Sequence, residues 1–190
     1  MKNTGILLIL GTAQFILAMI IAESIQPGYS IADNYVSDLG VGNSALLFNG
    51  SIFIIGLLIS TSACLIFQRF RNKLFSVLLF LGGIGTMGVG VFPETTGSIH
   101  LAFALIAFLC GGLSMIASYM IVKKPLSIIS IALGVVTLSA LILFIARVFL
   151  GLGQGGMERL IVYPELIWCI AFGGYLLGLA VPLERKSQRS

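Results

Sequence analysis

The chain has 190 residues, of which 58% are hydrophobic and only 9% are charged, and its mean hydropathy is +1.09. A water-soluble domain carries about 25% charged residues because its surface must be hydrated, so this composition excludes an ordinary soluble protein and predicts one that is surrounded mainly by lipid. The net charge of +4 does not indicate nucleic acid as a partner, because the basic residues stand at the ends of apolar segments.

Six apolar segments follow one another along the chain. Each has a length of about 17–25 residues, which at 1.5 Å per residue matches a hydrocarbon core of about 30 Å. The first is too long for the apolar part of a cleaved signal peptide, so we expect it to remain as a membrane helix. The sequence predicts one all-α integral membrane domain over residues 1–190, a bundle of six transmembrane helices, with spans at about residues 6–22, 45–67, 74–91, 101–122, 126–150 and 166–183.

The connections between the spans differ in character. Residues 23–44 are polar and rich in turn-forming residues, which predicts an ordered loop or a re-entrant cap. A loop rich in glycine at residues 151–156 leads to Glu158-Arg159 and Tyr163-Pro164-Glu165, which we place before the sixth span.

The third span is rich in glycine. Small residues let helices approach closely in lipid, so we expect this span to be central in the bundle. Its glycines are Gly82, Gly83, Gly85, Gly88 and Gly90.

The charged residues divide between the two ends of the spans. If the N-terminus is cytoplasmic, nine of the eleven Lys and Arg residues lie on the cytoplasmic side and six of the seven acids lie on the other side. The positive-inside rule therefore predicts a cell-membrane protein with both termini in the cytoplasm. The two basic residues on the extracytoplasmic side are Arg147 and Arg159.

The candidate catalytic residues are Glu94, His100 and Asp38, all on the predicted extracytoplasmic side. Glu94 and His100 flank a short break after the third span, and a histidine beside a carboxylate is suited to general acid–base catalysis. Ionisable groups at the centre of a bilayer cost about 2.5–3.5 kcal/mol each on insertion scales, so those that are retained near it usually pair or serve a pathway. The alternative is that His100 caps the fourth helix and that Glu94 is merely hydrated.

Arg147 lies in an apolar stretch at the end of the fifth span, where a guanidinium needs a partner. It is expected either to pair with Asp38 or Glu94, or to bind a phosphate or carboxylate of a ligand. The candidate ligand-binding residues are Arg147, Arg159, Tyr163 and Glu165.

No metal or cofactor is predicted. Catalytic zinc usually has three protein ligands, often histidines, and the chain has one histidine; a site made by His100, Glu94 and Asp38 stays an open alternative. The pattern Gly151-x-Gly153-x-x-Gly156 lacks the βαβ setting of a dinucleotide site. One histidine also cannot supply a bis-histidine haem clamp.

Three short motifs resemble the domain-of-unknown-function 998 family of prokaryotic membrane proteins. They are Ser37-Asp38-Leu39-Gly40, Gly90-x-Phe92-Pro93-Glu94 followed by His100, and Glu158-Arg159. The resemblance covers nearly the whole chain and implies a helical integral membrane protein, but it supplies no reaction.

Three functions remain open. The leading hypothesis is an extracytoplasmic cleft, lined by Asp38, Glu94, His100 and Arg147, that binds or modifies the head group of a membrane lipid or isoprenoid. The second is a small transporter, which requires polar groups at the middle of the bilayer, where the predicted spans offer mainly Ser, Thr and Gly. The third is a non-catalytic accessory subunit that packs against a membrane protein partner.

Overall fold

The computed structural model describes residues 1–180, which fold into six long helices. Short 3-10 turns occur in three of the connections, and no strand occurs within the described residues. Each helix is long and apolar enough to cross a membrane, which confirms the all-α fold of a multi-pass membrane protein. The helices are α1 (Lys2–Ile25), α2 (Ala45–Phe70), α3 (Lys73–Val91), α4 (Ser98–Ala117), α5 (Leu126–Ile145) and α6 (Gly153–Gly178).

The six helices form a closed ring in chain order. Each helix packs against the next one in the sequence, and α6 packs against α1 to complete the ring. Four of the five connections are short, and across the long one Ser44 Oγ, just before α2, donates to Gln26 Oε1, just after α1, at 3.1 Å. Successive helices therefore run in opposite directions. Three connections, residues 26–44, 92–97 and 146–152, therefore meet at one end of the ring, which we name the cap face. The interior of the ring must be filled by side chains from several helices at once.

The glycines of α3 bring its two neighbours close to it. A Cβ atom added to Gly83 would lie 2.8 Å from the carbonyl oxygen of Gly56 on α2. A Cβ atom added to Gly85 would lie 2.8 Å from the Cα atom of Ala107 on α4. Small residues thus allow close packing on both sides, as expected in lipid, although α3 is a member of the ring rather than its centre.

Aromatic side chains close the half of the ring that lies farther from the cap face. Trp168 and Phe172 of α6 stack with their ring centroids 4.8 Å apart, and Phe75 of α3 meets Phe172 edge-on at 5.6 Å. The indole Nε1–H of Trp168 donates a hydrogen bond to Ser130 Oγ on α5 at 3.0 Å. This dense cluster leaves the open space of the ring toward the cap face.

The start of α6 differs most from the prediction. The helix begins at Gly153, whereas the span was expected to begin at Leu166, and it continues through Pro164. Proline lacks an N–H and usually breaks a helix, but membrane helices tolerate it when neighbouring groups satisfy the backbone. The carbonyl oxygen that loses its donor at Pro164 is that of Leu160, and Thr137 Oγ1 on α5 donates to the adjacent carbonyl oxygen, that of Ile161, at 3.2 Å.

This difference corrects the placement of four residues. Glu158, Arg159, Tyr163 and Glu165 lie within the membrane-spanning helix α6 and not in a loop before it. The bounds of the other five spans differ from the prediction by at most five residues, and α5 ends at Ile145, so that Arg147 follows the helix. The predicted end of the sixth span at residue 183 and the basic residues after it lie outside the described residues.

Candidate functional site

A cavity of about 80 Å³ lies inside the ring and extends from the cap face to just past the middle of α2 and α6. It is elongated, because its lining residues on α2 run from Phe48 to Ile59, a distance of about 16 Å along a helix. Side chains of α1, α2, α3, α4 and α6 form its walls, which are mostly apolar. The volume holds several water molecules or part of a hydrocarbon chain. The polar or ionisable residues that line it are Ser37, Thr86, His100, Glu158, Glu165 and Cys169.

The loop between α1 and α2, residues 26–44, covers the end of the cavity at the cap face. Val36 and Ser37 of this loop line the cavity, and Leu39 of the same loop is fully buried. Glu158 Oε2 on α6 accepts a hydrogen bond from the backbone N–H of Val36 at 2.6 Å. The side-chain amide of Asn49 on α2 donates to the carbonyl oxygen of Gly40 at 2.9 Å. The loop is therefore an ordered roof, which we name the cavity roof, held by α6 and α2.

Arg159 forms hydrogen bonds with the same loop at a second place. Its guanidinium donates to the carbonyl oxygen of Ile31 at 2.9 Å and to the hydroxyl oxygen of Tyr29 at 2.7 Å. It also forms an ion pair with Glu23 at the end of α1, with an N–O distance of 2.5 Å. Burial raises the pKa of Tyr29 to about 12, and the Tyr29 hydroxyl donates onward to the carbonyl oxygen of Tyr35 at 2.9 Å. The guanidinium thus organises the loop.

Asp38 and Glu94 come together in an open groove on the cap face, outside the cavity. Asp38 Oδ2 accepts hydrogen bonds from the backbone N–H of Tyr35 at 2.8 Å and from Asn34 Nδ2 at 3.1 Å. Partial burial, together with the neighbouring Asp38 carboxyl, raises the pKa of Glu94 to about 7. Ser37 Oγ donates to Glu94 Oε2 at 3.4 Å, and Ser37 also lines the cavity, so this serine connects the two spaces.

His100 lies at the roof end of the cavity and is 5% exposed. Its Nδ1 is 2.8 Å from the carbonyl oxygen of Phe92. A carbonyl oxygen can only accept, so Nδ1 must carry the hydrogen, and in the neutral imidazole Nε2 is then a hydrogen-bond acceptor. His100 and Glu94 therefore lie in neighbouring spaces, and the contact that orients the imidazole is with the backbone.

Of the four candidate ligand-binding residues, only Glu165 lines the cavity; Arg159 binds the loop, and Arg147 and Tyr163 lie elsewhere. Arg147 is exposed in the turn after α5, with a φ of +57°, and the ion pair between Arg159 and Glu23 is the one within 4.0 Å among the described residues. Arg147 is therefore not paired with Asp38 or Glu94. Tyr163 is 40% exposed on α6 and does not line the cavity.

Glu165 lies in the cavity wall near the middle of α6. It is the thirteenth of the 26 residues of the helix, about 18 Å from the first one. Its carboxyl group packs over Gly111 of α4, where an added Cβ atom would lie 2.5 Å from Oε1. Oε1 is buried and has no hydrogen-bond partner among the described residues. The expectation that the middles of the spans offer mainly Ser, Thr and Gly is therefore wrong for α6.

Glu158 and Cys169 line the cavity but are not among the residues that the sequence predicts for the site. Together with Val162 and Glu165 they recur at intervals of four and three residues, which is the spacing of one face of a helix. All four line the cavity. This pattern is present in the sequence, but it crosses Pro164, and a proline preceded by polar residues predicts a loop.

No curated protein and no solved structure matches the chain. One family model does match, and it covers residues 9–175. The matched range begins in α1 and ends in α6, so it includes the cavity, the cavity roof and the groove of Asp38 and Glu94. On this match the chain belongs to the DUF998 family, which is described as a protein of unknown function.

Proposed function

We propose that this protein binds an amphipathic molecule of the membrane, a lipid or an isoprenoid, in the cavity of its helical ring. The observation that carries the proposal is the distribution of polarity in that cavity. Its walls are mostly apolar, while Ser37, His100 and Glu158 gather where the cavity meets its roof. Ligand sites commonly combine apolar walls with a few polar groups that fix the orientation of the ligand.

Each part of such a ligand has a matching part of the cavity. A hydrocarbon segment packs along the apolar side chains of α2, α4 and α6. A polar segment in the same place would lose its hydrogen bonds without replacement. A polar group near the roof finds the Nε2 acceptor of His100 and the hydroxyl of Ser37. On the charge distribution of the sequence, we propose that the cap face is extracytoplasmic and that the protein lies in the cell membrane.

If the site is also catalytic, His100 is the residue that transfers the proton. Its Nδ1–H is held by the carbonyl oxygen of Phe92, and this leaves Nε2 as the nitrogen that can accept a proton from a bound molecule. Glu94 and Asp38 are the acidic pair on the other side of Ser37. Ligand contacts by Arg147, Arg159 and Tyr163 stay predictions.

Lipid that remains bound during purification tests the proposal. We would purify the protein in mild detergent and identify bound molecules by mass spectrometry after extraction. Ala104→Leu fills the cavity, because Ala104 lines it, and Ala102→Leu adds the same atoms to an exposed position of the same helix. We expect a specific lipid in the wild type and in Ala102→Leu, and its loss in Ala104→Leu. Equal retention in all three proteins, or none in any, would contradict the proposal.

A further inference from the structure

Glu165 is the feature of the cavity that a neutral lipid would leave unexplained. Its Oε1 is buried without a hydrogen-bond partner, and no Lys or Arg among the described residues lies within 4.0 Å of its carboxyl group. Buried carboxylates are normally paired. Because a charged group at the centre of a bilayer is expensive, an intramembrane carboxyl is by default a candidate functional site.

The local packing keeps this carboxyl group in place but gives it nothing to bind. Gly111 of α4 provides the space over which the group lies, since any larger residue would collide with it. The indole N–H of Trp168, in the next turn of α6, donates to Ser130 on α5 and not to Glu165. A partner that enters the cavity would satisfy this oxygen, because Glu165 lines the cavity.

The charged residues that line the cavity indicate whether the partner of Glu165 is a cation or an anion. Glu158 and Glu165 are seven residues apart, on one face of α6, and both line the cavity. Of the described residues that line it, none is Lys or Arg. An anionic group would meet two carboxyl groups without a compensating cation, whereas a cationic group would be attracted to both. Arg159, the nearest guanidinium in the sequence, is already bound to Glu23.

The apolar walls suit a cation that carries hydrocarbon. The aromatic rings of Phe15, Phe48 and Phe108 line the same cavity, and aromatic rings attract cations through their negatively charged faces. A small inorganic cation would lack the several oxygen ligands that it requires. A protonated amine on an apolar skeleton uses both the carboxyl group and the rings.

We infer that the cavity binds a hydrophobic amine whose ammonium group pairs with the unpartnered carboxyl group of Glu165. The inference rests on the proposed function, because it uses the same cavity, and it names the class of ligand: an amine-bearing amphipathic molecule and not an anionic lipid. The ammonium lies about two helical turns from Glu158, and the apolar part of the ligand follows the walls.

Three probes of similar shape test the inference. They are 4-phenylbutylamine, 4-phenylbutanol and 4-phenylbutanoate, whose binding to purified protein in lipid nanodiscs is measured by calorimetry at neutral pH. We expect the wild type to bind the amine at least tenfold more tightly than the alcohol, and to bind the acid least. Glu165→Gln keeps the shape of the side chain without its charge, so it should bind the amine and the alcohol equally. The control Asp33→Asn removes an exposed carboxylate of the cap face and should bind as the wild type does.

The outcomes separate this inference from the proposed function. If all three probes bind equally and Ala104→Leu abolishes their binding, the cavity is a ligand site but the inference is wrong. If Glu165→Gln binds the amine as tightly as the wild type does, the inference is also wrong. Retained binding of the alcohol by Glu165→Gln shows that this variant is folded. If no probe binds the wild type, the inference is overturned whatever lipid is co-purified.

Discussion

Glu158 Oε2 on α6 accepts a hydrogen bond from the backbone N–H of Val36 in the cavity roof, with an N–O distance of 2.6 Å. The two residues are 122 positions apart in the sequence. The next residue of α6, Arg159, binds other parts of the same loop, at Ile31 and Tyr29. Adjacent residues of a helix point in directions about 100° apart, so these two side chains reach different parts of the loop. Two consecutive residues of α6 therefore hold different parts of the cavity roof, in addition to the hydrogen bond from Asn49 of α2 to Gly40.

Removal of the Glu158 carboxyl group should loosen the cavity roof. Glu158→Ala leaves the N–H of Val36, a residue only 3% exposed, without an acceptor, which costs about 1–3 kcal/mol. Glu158→Gln retains an acceptor oxygen and should cost less. Unfolding in mild detergent measures the stability, and the rate of proteolytic cleavage within residues 26–44 reports on the roof. If the two variants lose the same stability and are cleaved at the same rate, the hydrogen bond to Val36 is not what holds the loop.

The acidic pair in the groove should make stability depend on pH. Folding raises the pKa of Glu94 from 4.5 to about 7, so the folded protein binds this proton more tightly than the unfolded chain does. The stabilisation from Glu94 is therefore complete below about pH 4.5 and is lost as the pH rises through about 7. We expect the wild-type Tm to fall between pH 5 and 8.

Glu94→Gln is the reference for this measurement, because it cannot titrate. Its Tm should change less over the same pH range, and the difference between the two curves isolates Glu94 from the other titrating groups. Parallel curves for the two proteins would show that Glu94 has an ordinary pKa and is not held beside a like charge.

Two glycines of α6 should respond in opposite ways to alanine. Gly155 packs against the loop, where an added Cβ atom would lie 2.5 Å from the carbonyl oxygen of Ile31, so Gly155→Ala should destabilise the protein by about 1–3 kcal/mol. Gly174 has nothing within 4 Å of its Cβ position, and Gly174→Ala should stabilise the helix by about 0.5–1 kcal/mol. Thermal unfolding of the two variants measures both effects. Equal shifts would mean that the loop does not pack on α6 as described.

The proposed orientation can be measured with single cysteines in a variant that lacks Cys64, Cys110 and Cys169. Thr95→Cys lies on the cap face and Gln68→Cys near the opposite face, and both positions are exposed. A maleimide that cannot cross membranes should label Thr95→Cys in intact cells, and Gln68→Cys only after the cells are permeabilised. The reverse pattern would put the cap face in the cytoplasm.

The number of spans was predictable because crossing a bilayer requires long apolar segments, and the residues at the cap face followed from their place between those segments. The ring and its cavity were not predictable, because apolar side chains in a membrane helix face both lipid and the protein interior. Pro164 is the clearest example of what the sequence does not predict. A proline there predicts a loop and places Glu165 at the start of the sixth span, whereas in the structure α6 continues through Pro164 and Glu165 lies near its middle. Arg159 has one local partner, the carbonyl oxygen of Gly155. Its other partners come from residues 23–31, more than 120 positions away, which no local pattern in one sequence reveals.

An experimental structure from crystals grown in a lipidic mesophase tests the central claim most directly, because it shows what the cavity contains when lipid surrounds the protein. The account predicts one elongated density between α2, α4 and α6, with its polar atoms near His100 or Glu165. A cavity that is collapsed, or that contains only separate water molecules, would contradict the claim that the ring binds a molecule of the membrane.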